Sequence, residues 1–148
     1  MEQSMTTADT MLIGLIPTVV IVCLHVIGLQ LVSRRLHMRT PRRLHLADAG
    51  AGVLVTFQLL VLLISLHGLN MVLWALFTLG IGAFDDFETA MFFNLENYTA
   101  LGLTRVQIPE LWRSIPVYIS LTGVFCLAWS TSVLVNVNRH LVTAAEAR

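Results

Sequence analysis

Charged side chains divide the chain into three long apolar runs. Residues 11–32 are 22 positions without a charge, 49–84 are 36, and 114–138 are 25. A helix rises about 1.5 Å per residue and a bilayer core is about 30 Å thick, so about 20 apolar residues suffice to cross it. Each run therefore predicts a membrane span. The middle run would be about 54 Å long as one straight helix, so it must tilt, project or break. Its weakest helical point is HGLN at 67–70. Division there leaves two short pieces, and one long span is the better reading. The plan is then an external segment 1–10, a first span 11–33, a basic loop 34–48, a second span 49–83, a third span 113–138 and a tail 139–148.

The segment between the second and third spans has its own pattern. Phe84, Phe87, Met91, Leu95 and Tyr98 recur at three or four residues, the spacing of one helix face. Asp85 or Asp86 can cap the start, and Glu88 sits in the first turn, where the helix dipole favours an anion. Such a helix is about 20 Å long, too short to span. Ala90, Met91, Phe92 and Phe93 make it too apolar for a solvated loop. A short amphipathic helix at 84–98, followed by an extended glycine-containing strand and outer loop at 99–112, predicts a re-entrant segment. Non-helical backbone at membrane depth needs protein around it or a water-filled path. The competing reading is a helix lying flat on the outer leaflet.

Composition agrees with a membrane protein: 56% hydrophobic, 12% charged and a mean hydropathy of +0.77. A soluble domain is usually about a quarter charged. The formal net charge is zero, so no bulk field points to nucleic acid. All nine basic residues are arginine, for which we have no physical account. Five of them, Arg34, Arg35, Arg39, Arg42 and Arg43, fall between the first two runs, against Arg105 and Arg113 between the last two and Arg139 and Arg148 in the tail. The positive-inside rule then puts the N-terminus outside and the C-terminus in the cytoplasm. Arginines that follow the first apolar run, with only Glu2 and Asp9 before it, reverse the order of a signal peptide, so that span is expected to be retained. Cys23 and Cys126 both fall inside spans and read as small buried hydrophobes.

The run FETAMFFNLENYTALGLTRV at 87–106 resembles the pore helix and selectivity filter of the potassium-channel superfamily, in particular small bacterial channel-like membrane proteins. LWAL at 73–76 and WSTSVL at 129–134 resemble its flanks. The resemblance implies an all-α fold of three spans and one re-entrant pore helix. It also implies a homotetramer in the bacterial inner membrane, with the pore between subunits and a filter at Thr99, Ala100, Leu101, Gly102, Leu103 and Thr104. Three departures matter. Ala100 lacks the hydroxyl of the family's second threonine. Thr104 replaces the second glycine, whose backbone angles a β-branched residue resists. Arg105 replaces the aspartate after the filter, placing positive charge at the outer mouth. Glu96 stands where some members carry a glutamate behind the filter, so Glu96 and Arg105 are expected to pair as a brace; otherwise Arg105 is solvated. The Asn97 amide bonds either filter carbonyls or the end of the pore helix.

The last span opens with Ser114 as a cap and Pro116 in the first turn. A stripe of Thr122, Cys126, Ser130, Val133 and Val137 recurs at helical spacing. It reads as pore lining or as the small-residue surface of helix packing. Gly123 marks a bend or a packing contact. His25 and His67, single histidines in two spans, are expected to bond neighbouring helices; haem ligation and proton relay are the sharper options. No nucleotide loop, zinc motif or nucleophile elbow is present, so neither an enzyme nor a cofactor is expected. Three readings follow, in order: a cation or weakly selective pore, a non-conducting channel scaffold serving a partner or lipid, and a small haem protein. Membrane lipids and further copies of the chain are the expected partners.

Overall fold

A computed structural model describes residues 7–44, 49–102 and 106–146. The described residues form four α-helices, α1 (Thr7–Leu44), α2 (Ala49–Gly80), α3 (Phe87–Tyr98) and α4 (Ile115–Glu146), with a short 3₁₀ turn at Glu110–Trp112. Three segments are long and apolar enough to cross a membrane, Asp9–Arg34, Gly52–Gly80 and Glu110–Thr143. The middle apolar run is one helix through HGLN, as expected. The basic segment corrects the expected loop: α1 continues as helix to Leu44, past Arg34 and through the arginine-rich stretch. Arginine is a good helix former, and a helix leaving the membrane keeps its own backbone bonds. Likewise α4 runs on to Glu146, beyond the expected boundary at 138.

The faces of these helices are sorted as lipid requires. Leu12, Ile16, Val53, Phe57, Ile64, Leu76, Val117 and Phe125 are exposed, whereas polar Thr18, His25, Asn70, Thr78, Asn94, Thr122 and Ser130 are buried. Apolar side chains gain nothing by leaving lipid, so helices associate through close packing and polar contacts. The glycines make that packing visible. A Cβ at Gly14 would lie 2.6 Å from the Tyr118 ring, and one at Gly28 would lie 2.8 Å from Leu66. The first joins α1 to α4 and the second joins α1 to α2.

Helix α3 sits against α2 and α4, and both of its ends are explained by local chemistry. Before it, α2 closes on Gly82, whose φ of 70° suits a residue without a Cβ. The Gly82 amide donates to Leu79 and the Ala83 amide to Thr78. Asp86 then caps α3, accepting the Thr89 amide at 2.8 Å. The Thr89 backbone and hydroxyl hold the exposed Asp86 carboxyl below the usual carboxylate range. Ser114 occupies the corresponding place before α4, but its buried hydroxyl has no partner in the described structure, so the expected side-chain cap is absent.

Candidate functional site: a polar cluster where four helices meet

Four helices each contribute to one buried hydrogen-bonded cluster. His25 comes from α1, and His67 and Asn70 lie one turn apart on α2. Tyr98 is the last residue of α3, and Cys126 and Ser130 are one turn apart on α4. The two histidine rings are 4.9 Å apart, centre to centre. Ser130 Oγ lies 3.0 Å from His25 Nε2 and 3.0 Å from His67 Nε2. Tyr98 Oη lies 2.9 Å from His67 Nδ1 and 3.0 Å from Asn70 Nδ2. Asn70 Nδ2 also lies 2.8 Å from His25 Nδ1, and Cys126 is buried on α4.

One placement of hydrogens satisfies every one of these contacts. Asn70 donates its two N–H bonds, one to His25 Nδ1 and one to the Tyr98 oxygen. His25 then carries its hydrogen on Nε2 and donates to Ser130. Ser130 donates to His67 Nε2, and His67 Nδ1–H faces the Tyr98 oxygen. Both rings are neutral, and each ring nitrogen has one role. The expectation that His25 and His67 bond neighbouring helices is met. A haem does not fit: rings 4.9 Å apart and joined through one hydroxyl leave no slot for a macrocycle between them.

Sequence reasoning missed Asn70 and the inward role of Tyr98. Asn70 registered only as part of a weak helical point. The available signal was an amide one turn from a histidine in a charge-free span, since polar groups there turn inward and find each other.

A second contact runs beside the cluster. Asn94 Nδ2 donates to Thr78 Oγ1 at 3.0 Å and to the Ala90 carbonyl at 2.6 Å. One turn later α3 reaches Asn70 and His67, much earlier on α2. The two helices therefore run in opposite directions, and α3 ends beside the middle of α2.

The filter-like segment follows directly, and its start differs from expectation. Residues 99–102 are not extended. The Ala100 amide donates to Asn97 O at 2.9 Å, and the Leu101 and Gly102 amides both turn back to Glu96 O, at 3.1 and 3.4 Å. This is a left-handed helix cap with Ala100 at a φ of 57°. The amides of the would-be strand close the last turn of α3 instead, because its carbonyls need donors. Gly102 does take a positive φ, 60°, as a glycine-requiring position should. Leu101 is exposed. Leu103, Thr104 and Arg105 lie outside the described residues, and with them the proposed brace; Glu96 itself is half-buried. Asn97 directs its amide to Phe93 O, within its own helix. Ala100→Gly should stabilise the protein by about 1 kcal/mol, because alanine pays a steric cost in the left-handed region that glycine does not. Reversible unfolding in mixed micelles measures it.

The stripe on the last span also needs correcting. Thr122, Cys126 and Ser130 are buried within their own chain, and Val133 packs beside Leu29, Leu59 and Leu63. Thr122, Cys126 and Ser130 therefore face the other helices of the chain and not a path between chains, whereas Val133 is partly exposed. Their small size serves helix packing. Gly123 belongs to the same surface. A Cβ there would overlap the Tyr98 carbonyl oxygen and lie 2.8 Å from its carbon, and Ser120 Oγ donates to Asn97 O at 2.8 Å. Thus α4 clasps the backbone end of α3.

No protein-family model, curated protein or solved structure matches the chain. The cluster's geometry is therefore the main guide to function.

Proposed function

We propose that the chain is a pore-loop membrane protein on the plan of the potassium-channel superfamily, a non-enzymatic homotetramer of a bacterial inner membrane with its N-terminus outside. It passes small cations with weak selectivity past residues 99–104. One observation carries the reading: the Tyr98 hydroxyl bonds His67 and Asn70, ten to thirteen positions before the end of α2 at Gly80. At about 1.5 Å per residue, that sets the end of α3 some 15–20 Å below the end of α2. A helix lying flat on the outer leaflet does not reach that depth, whereas a re-entrant pore helix does. The long, continuous α2 and α4 on either side suit the outer and inner helices of such a pore.

A second reading has its own support. The cap at 99–102 commits the Leu101 and Gly102 amides to Glu96 O, a use of the backbone unlike a ladder of ion-binding carbonyls. In that reading the scaffold is kept, conduction is lost, and the assembly serves a partner or lipid. Flux from liposomes loaded with potassium or sodium separates the two. The first reading predicts cation efflux that falls at least tenfold in Gly102→Val, because a β-branched residue resists a φ of 60°. Silence under every gradient and potential favours the scaffold.

A further inference from the structure

We propose that His25 and His67 form a proton-responsive lock on α3: as a neutral pair they hold Tyr98 in place, and proton uptake by the two rings releases it. The lock is a property of the single chain and does not depend on conduction.

The argument begins with the hydrogen pattern. In that pattern two ring nitrogens accept, His25 Nδ1 and His67 Nε2, and an added proton goes to one of them. On His25 it meets the Asn70 N–H, donor against donor, at 2.8 Å. Rotating the Asn70 amide would turn its oxygen, which is buried and has no partner, toward His25. The same rotation takes the amide N–H away from the Tyr98 oxygen. On His67 the proton displaces the hydrogen that Ser130 supplies. Loading both rings sets two positive charges on imidazoles 4.9 Å apart, which repel strongly where water is excluded. The proton on His25 thus costs Tyr98 the Asn70 N–H, and repulsion between two loaded rings pushes His67, which holds Tyr98, away from His25.

Among the described residues, no nearby carboxylate offsets such a charge. The other titratable groups in the cluster are Tyr98 on α3 and Cys126 on α4, and free tyrosine and cysteine are neutral at mildly acidic pH. On α3, Glu96 stands two residues before Tyr98, on another side of the helix. On α1, Asp9 is about four turns from His25 and Arg34 about two and a half. Between 52 and 80, α2 carries no charged residue, and α4 has Arg139 near its far end.

A groove of about 360 Å³ between α1 and α4 is lined by Val26, Leu29, Gln30, Ser33, Arg34, Trp129 and Val133. Val26 and Trp129 are the chain neighbours of His25 and Ser130, which themselves stay buried until the lock opens. Once released and wet, each ring titrates near the ordinary histidine value of about 6.5. Below that value, each proton taken up on release favours the released state roughly tenfold per pH unit, and two protons roughly a hundredfold.

Hydrogen exchange of the full chain in lipid nanodiscs at pH 7.5 and 5.0, corrected for the intrinsic pH dependence of exchange, tests this. The amides of Phe87–Tyr98 should lose at least tenfold protection at pH 5.0, while those of α1 near Gly14 keep theirs. The loss should vanish in the His25→Gln, His67→Gln double variant and persist in His140→Gln. Equal protection at both pH values in the native chain, or an unchanged loss in the double variant, overturns the lock. Should the double variant fail to fold, ¹⁵N imidazole spectra of the native chain decide: both rings must gain protons as α3 loosens, and rings that stay neutral overturn it.

Discussion

Gly123→Ala should destabilise the bundle by on the order of 3 kcal/mol, the upper part of the range for overpacking a well-packed interior. The added methyl group collides with backbone, the carbonyl of Tyr98, and a backbone carbonyl cannot swing aside as a side chain can. Either α4 moves away from α3, breaking the Ser120 bond to Asn97 O, or α3 shifts and draws Tyr98 from its partners. Gly68 is the matched control: a Cβ there meets nothing within 4 Å. Gly68→Ala should be neutral or stabilising by about 0.5–1 kcal/mol, the usual gain from replacing glycine inside a helix. Reversible unfolding in mixed micelles should separate the two variants clearly. Equal effects would mean that α3 does not rest on α4 in this way.

The second large effect is expected from Tyr98→Phe. Losing one oxygen strands the His67 Nδ1–H and one Asn70 N–H in a buried site. An unsatisfied buried donor costs about 1–3 kcal/mol, so the two together should cost on the order of 4 kcal/mol. Thr99→Val, one position on, removes an exposed hydroxyl that bonds Leu95 O in its own helix. It should stay within about 0.5 kcal/mol. Because Tyr98 and Asn70 share a bond, Tyr98→Phe combined with Asn70→Leu should cost less than the sum of the single changes. A strictly additive pair would argue against a connected cluster.

Much of the framework is legible in the sequence because lipid imposes simple rules. A run without charges reads as a span, and three of them appear as three long helices. The spacing of Phe87, Met91, Leu95 and Tyr98, with an aspartate before it, anticipates α3 and its cap at Asp86. What periodicity leaves open is direction. Thr122, Cys126 and Ser130 do share a face, but only the packed bundle tells whether that face meets water or other helices. The Asn70 amide joins residues from three helices far apart in sequence, and no local pattern encodes that meeting. The cap at 99–102 escapes for a related reason. The resemblance implies an extended strand there, yet the carbonyls of α3 compete for the same amides. The arginines after 34 suggest a loop by polarity, but polarity reports solvent and not backbone shape, and the helix continues.

The depth of α3 underlies both the pore-loop reading and the lock. Solid-state NMR of the isotope-labelled chain in phospholipid bilayers measures it directly. The account predicts a contact between the Tyr98 ring and His67 Nδ1, consistent with the 2.9 Å bond, and no contact between Tyr98 and headgroup ³¹P. A Tyr98 ring close to phosphorus and remote from His67 would contradict it.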